Sequence, residues 1–165
     1  MSPDAVGGPI VVVGAGAAGL VAAAHAAAAG RSVVLVEGTA DGGRKILISG
    51  GGRCNILPSI LDPARFVSEA PPHLVRRLLA AWPLREQRHY FERDLGIPLA
   101  QEETGKLFPA SNRAREVRDR LVAAAGERGV RCRFGRLVVG VAGGEGRWEV
   151  RLDGGEVIQA CAVVI

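Results

Sequence analysis

The chain has 165 residues, enough for one domain with a buried core and too few for two full ones. Hydrophobic residues make up 48% and charged residues 23%, the proportions of an ordinary soluble globular protein. The net charge of +4 is spread along the chain and aromatic residues make up only 4%, so composition predicts no basic face and no stacking platform for nucleic acid.

In chain order, residues 9–14, PIVVVG, form a continuous β-branched run and predict a buried parallel strand. The Ala-rich stretch 17–29 predicts a helix stopped by Gly30, a residue suited to the left-handed position past a helix end. SVVLVE at 32–37 predicts a second buried strand, completing a strand–helix–strand unit with a right-handed crossover. From 56 to 110 the prolines at 58, 63, 71, 72, 83, 98 and 109 divide the chain into short pieces. Two of these predict helices: 73–82, with Leu74, Leu78 and Trp82 on one face, and 84–95, with Leu84, Tyr90, Phe91 and Leu95 apolar. The segment reads as an excursion inside one domain spanning 1–165.

Residues 113–128 predict a helix carrying Val117, Leu121 and Ala124 on its apolar face, followed by a strand at 130–134. The remainder reads as three or four short strands, with turns at GGEG and DGG. It closes on CAVVI at 161–165, another buried-strand run, and a chain that stops inside such a strand reads as the N-terminal part of a longer protein. The fold class expected is therefore α/β. Its central parallel sheet has strands near 10–14, 33–37, 131–134 and 161–165, with a small antiparallel meander between the last two.

The turn between first strand and helix carries Gly14-Ala15-Gly16-Ala17-Ala18-Gly19, a G-x-G-x-x-G in its proper context. Gly14 permits the tight turn, Gly16 lets a pyrophosphate approach the backbone, and Gly19 lets the helix pack on the strand. The helix N-terminus offers unpaired N–H groups and partial positive charge to phosphates. Glu37 ends the second strand about 20 residues beyond the glycines, where an acid binds a ribose. Gly38 after it supplies no arginine for a 2′-phosphate, which the carboxylate would itself repel, so NADP is disfavoured here. The fingerprint alone does not separate NAD from FAD.

A second glycine-rich stretch, GRKILISGGGRCN at 43–55, follows the acid, and GKLFPASNRAREVRDRL lies at 105–121. With these the chain resembles the HI0933-like, or YhiN-like, family of bacterial flavoproteins, within the wider glutathione-reductase class. The resemblance implies a Rossmann-like FAD/NAD(P)-binding fold, bound FAD, and NAD(P)H as the reductant of a flavin-dependent oxidoreductase. It also implies that Arg44, Lys45, Ser49, Gly50, Gly51, Arg53, Cys54 and Asn55 line the cofactor, and that the C-terminal part of such a protein is missing here. The alternatives are a non-catalytic dinucleotide-binding module or remnant, and an NAD-only dehydrogenase domain, which the second glycine loop disfavours.

Other residues carry less. Cys54 invites a redox reading, and a thiolate beside Arg53 would have a lowered pKa, but NILPSI at 55–60 supplies no second cysteine. Cys132 and Cys161 fall in predicted strands and read as small core residues. His25, His73 and His89 have no acid at suggestive spacing, so the catalytic residues are unassigned and no metal site is expected. Val138 sits where a strand backbone meets adenine in this fold. MSPDAVGG lacks the basic start and apolar core of a signal peptide, and an odd cysteine count suits a reducing cytoplasm. A small-molecule substrate, no nucleic acid and no membrane are expected.

Overall fold

The computed structural model describes residues 8–165, so the reading of the first seven lies outside the described residues. The chain divides into two compact units, one running up to Leu47 and resuming over Arg118–Ile165, the other Ile48–Val117.

In the first unit, β1 (Ile10–Val13) leads into α1 (Ala17–Ala28), β2 (Val33–Glu37) and α2 (Arg44–Ile48), whose last residue passes into the second unit. The β-branched runs of β1 and β2 are buried on both faces, as a parallel sheet requires. The first unit resumes in α5 (Ala114–Glu127), then continues through β6 (Arg131–Phe134), β7 (Val138–Gly144), β8 (Arg147–Leu152), β9 (Val157–Ala160) and β10 (Ala162–Val164). Four strands form a parallel sheet in the order β10-β1-β2-β6, with Ile10 beside both Val33 and Ala162, and Val34 beside Arg131. An antiparallel meander, β7-β8-β9, packs on one face, where Val11, Val34 and Val36 meet Val150, Leu152 and Ala160. The opposite face of β1 points Val12 at α1, whose Leu20, Ala23 and Ala24 are buried. Each fully buried Val or Leu here contributes about 1.5–3 kcal/mol. The result is the Rossmann-like α/β fold of the expected class, with its meander. Gly30 takes the left-handed conformation past α1 (φ +78°), its N–H on the Ala27 carbonyl at 2.9 Å.

The second unit holds β3 (Leu57–Pro58), α3 (Pro72–Ala81), α4 (Leu84–His89), β4 (Leu99–Gln101) and β5 (Lys106–Pro109). Its three strands form an antiparallel sheet, β3-β5-β4, which the sequence did not announce. They are only two to four residues long, and Pro58 and Pro109 lie within them. The helix expected over 84–95 is α-helical only to His89 and continues as a π-helical turn, Tyr90–Asp94. In α3 the predicted apolar stripe exists but is not buried, with Leu74 40% and Leu78 72% exposed. Among the described residues, no helix is long and apolar enough to cross a membrane.

The close approach of α1 to β1 is the most demanding packing event. A Cβ at Gly19 would lie 2.0 Å from the Gly14 carbonyl oxygen and 3.5 Å from Val12. Since backbone cannot move aside as a side chain can, Gly19→Ala should destabilise the protein by ~3 kcal/mol, the upper end of overpacking costs. Urea unfolding monitored by circular dichroism measures this, and an unchanged midpoint would contradict it.

Candidate dinucleotide-binding site

The site in the first unit is built on the β1–α1 turn. Gly14 turns the chain at φ +97°, and Gly16 is extended (φ −75°, ψ 178°) before α1 begins. Gly16 has no side chain to cap the helix, and the first turn contains no acid. The N–H groups of Ala17, Ala18 and Gly19 therefore lack intrahelical acceptors and face outward with the positive end of the helix dipole. A Cβ at Gly16 would meet no protein atom within 4 Å, in contrast to the crowding at Gly19. The two glycines thus serve different ends: Gly19 admits the chain's own backbone, and Gly16 leaves space.

Glu37 fixes this turn. Its Oε2 accepts from the Ala15 N–H at 2.8 Å, while Oε1 accepts from the Thr39 N–H and hydroxyl, both at 2.7 Å. The other side of the Ala15 peptide is held too, since its carbonyl accepts from the Gly43 N–H at 2.9 Å. Burial raises the pKa of Glu37. The bonds from the Thr39 hydroxyl and N–H and from Ala15, with the charge of Arg44, outweigh that and leave it below its ordinary value of 4.5. The carboxylate is ionised at neutral pH and retains acceptor capacity beyond its three bonds.

Several residues of this arrangement escaped the sequence reading. The Thr39 hydroxyl donates to Glu37 and accepts from the Gly42 N–H at 3.1 Å, closing a small turn. Gly42 and Gly43 are left-handed (φ +65° and +70°), and Cβ atoms there would lie 2.8 Å from Ala15 Cβ and 2.4 Å from Arg118 Cγ. Arg118, nearly buried, donates to the Asp41 carboxylate at 2.9 Å and carbonyl at 3.2 Å. Thr-x-x-Gly-Gly after an acid was the available signal for the turn, but nothing local marked Arg118.

The other residues singled out are placed as follows. Ala15 is buried, Gly38 is exposed beside Leu137, and Arg44 and Lys45 open α2 with exposed side chains. Val138 opens β7 opposite Leu152 and packs against the Val11–Val36 cluster.

Ser49, Gly50, Gly51, Arg53, Cys54 and Asn55 lie in the second unit. There Gly50, Gly51 and Gly52 take φ values of +56°, +70° and +84°, and Cys54 joins them at +65°, uncommon for a residue with a side chain. The Cys54 N–H is bonded to the Ser49 carbonyl at 2.9 Å. A Cβ at Gly50 would strike Phe108 at 2.7 Å, whereas one at Gly51 would meet nothing. Arg53 is engaged within this unit, ion-paired with Glu102 and stacked 4.2 Å from the Phe108 ring centroid. The thiol of Cys54 is buried and pushed up in pKa by that burial, so it is not the lowered-pKa thiolate its arginine neighbour suggested.

The family model described as HI0933-like protein Rossmann domain matches residues 8–165. Among curated proteins, the ribosomal RNA dihydrouridine synthase of Escherichia coli (strain K12) is 33% identical over 144 residues, 87% of this chain and 35% of that protein. The ribosomal RNA dihydrouridine synthase of Haemophilus influenzae is 39% identical over 98 residues, 59% of this chain and 24% of that protein. The 3-dehydro-bile acid delta(4,6)-reductase of Clostridium scindens is 32% identical over 110 residues, 66% of this chain and 26% of that protein. The chain thus spans about a quarter to a third of the length of the curated relatives it matches.

Two solved structures share the fold over 94% of this chain. L-proline dehydrogenase from P. horikoshii does so with TM-score 0.61, 14% identity and 51% of that chain covered. Thermovibrio ammonificans THI4 does so with TM-score 0.60, 16% identity and 55% covered.

The two synthases, named for ribosomal RNA, overturn the expectation of no nucleic acid. That expectation averaged charge over the whole chain, whereas five of its arginines fall between residues 76 and 93. Scarcity of aromatic rings argues against base stacking but not against phosphate contact.

The Glu37 geometry has a pH signature. Its stabilising bonds are present above pH 4.5 and are lost as pH falls through its lower folded-state pKa. Glu37→Gln turns an amide N–H₂ toward one of the N–H donors, so it should lower stability at pH 7 by about 1–2 kcal/mol and flatten the acid limb of the stability–pH profile. Identical profiles for the two proteins, measured by denaturant unfolding, would contradict the assignment.

Proposed function

Since the chain belongs to the HI0933-like family and is a Rossmann-type, flavoprotein-like domain, we propose that it holds the adenosine diphosphate half of FAD in a flavin-dependent oxidoreductase. The observation that carries this reading is the doubly held Ala15 peptide, with its N–H on Glu37 and its carbonyl on Gly43. This fixes the turn so that the free N–H groups of Ala17, Ala18 and Gly19 are set out together for a pyrophosphate, with open space at Gly16 for its approach. The remaining acceptor capacity of Glu37 suits ribose hydroxyls, and its ionised state disfavours a 2′-phosphate.

FAD supplies hydride chemistry when bound, with NAD(P)H as the proposed reductant. The relatives' names narrow the reaction. Dihydrouridine is uridine with its ring carbon–carbon double bond saturated, and a delta(4,6)-reductase of a 3-dehydro compound acts on double bonds conjugated to a ketone. We therefore assign this protein to the reduction of a carbon–carbon double bond conjugated to a carbonyl. One hydride and one proton are added to the substrate, and NAD(P)H is oxidised to NAD(P)+. Uridine in ribosomal RNA is the favoured substrate, because the match to a synthase acting on that RNA extends over 87% of this chain.

FAD titration of the purified protein, followed by flavin fluorescence, tests the reading. Gly16→Val places its Cβ where no protein atom lies within 4 Å, so the variant should unfold at nearly the wild-type denaturant concentration and lose FAD affinity by about a hundredfold, roughly 2.7 kcal/mol. Retained affinity would contradict the reading, as would a purified protein that takes up NAD and no flavin.

A further inference from the structure

The second unit carries a charge pattern that the dinucleotide turn does not use. Between residues 73 and 93 stand Arg76, Arg77, Arg85, Arg88 and Arg93, against the carboxylates Glu86 and Glu92. In this stretch, among the described residues, Arg88 alone of the five has an acidic partner, Glu92 at 3.6 Å. That pair is partly exposed and screened by water, so it neutralises little of the local field.

Local packing turns these charges outward. Gln87 Nε2 donates to the Trp82 carbonyl at 2.6 Å and pins the start of α4 to the end of α3. Tyr90 and Phe91 are buried in an edge-to-face pair at 5.6 Å, and Tyr90 meets Trp82 likewise at 5.8 Å. The π-helical turn thus commits its apolar side to the interior, together with Leu95 and Ile97. On the other side lies an open groove of about 480 Å³, lined by Ser59, Leu84, Arg85, Arg88, His89, Glu92 and Arg93. Asp94 lies 3.9 Å from His89 at its edge.

We propose that this groove grips the phosphate backbone of the RNA substrate, an inference that rests on the reading of the protein as an RNA uridine reductase. Guanidinium groups match phosphate oxygens with paired N–H donors, and Ser59 adds a hydroxyl. Arginines outnumber the single ring, His89, among the described lining residues, so the contact chiefly positions the RNA through its phosphates. A concave arginine-lined groove fits a strand of phosphates better than it fits a flat anionic membrane.

Arg85→Gln/Arg93→Gln is the informative variant, because neither side chain has an ion-pair partner to lose among the described residues. Binding of a fluorescein-labelled, uridine-containing RNA hairpin is followed by anisotropy across a salt series. The double variant should bind about tenfold more weakly at physiological salt, and its slope of log affinity against log salt should flatten by about 1.4–1.8, the share of two phosphate contacts. Its FAD affinity should equal the wild type's. An unchanged RNA affinity and slope in the variant would overturn the groove while leaving the flavin reading intact. A wild-type protein with no RNA affinity would overturn the groove and the RNA reading together. Wild-type binding to phosphatidylserine vesicles that RNA cannot displace would overturn it in favour of a membrane.

Discussion

The carboxylate of Glu37 is the constraint on which the first unit's site depends. Three donors converge on it, and one of them is the backbone N–H of Ala15, in the middle of the turn that leaves β1. A turn rich in glycine is free to adopt many shapes in the unfolded chain and would be costly to order without such a tie. The carboxylate, the Gly43 N–H and the crowded Gly19–Gly14 contact hold that turn from three directions. What remains unfilled is the space in front of Gly16 and the N–H groups that open α1.

A second layer supports the first. Thr39 bonds to Glu37 and receives the Gly42 N–H, and Gly42 in turn lies against Ala15. Arg118 closes the circuit by donating to both the carboxylate and the carbonyl of Asp41, while its own aliphatic stem occupies the space a side chain at Gly43 would need. Each of these groups satisfies a neighbour's hydrogen-bonding need, so loss of one leaves another unpaired. Polar networks of this kind are worth more than their bonds counted singly.

How much of this was legible depended on distance along the chain. Gly14, Gly16, Gly19 and Glu37 follow one another through a strand, a helix and a second strand, so their meeting at one turn could be read from order alone, but the tie from Glu37 to the Ala15 N–H could not. The parallel core was equally plain, because Val11, Val34 and Val36 belong to unbroken apolar runs rich in valine. Arg118 was invisible, since its partner Asp41 stands 77 residues earlier and an arginine in an amphipathic helix reads as surface. The strands of the second unit were hidden by their shortness and by Pro58 and Pro109. In α3 the spacing of Leu74 and Leu78 correctly gave a stripe, but periodicity says nothing of whether a stripe is covered. The same limit applies to charge: the sum over the chain hid the cluster from Arg76 to Arg93, and only helix geometry sets Arg85, Arg88 and Arg93 around one groove.

The central claim is that the first unit recognises the adenosine diphosphate moiety of FAD through the Ala15–Glu37 turn. Competition titration measures this most directly. The protein is equilibrated with FAD, whose fluorescence reports binding, and then challenged separately with ADP and with FMN. If the turn recognises the adenosine diphosphate moiety, ADP releases FAD and FMN, which lacks the adenosine and the pyrophosphate, does not. Displacement by FMN with ADP inert would place recognition on the flavin end and contradict the account.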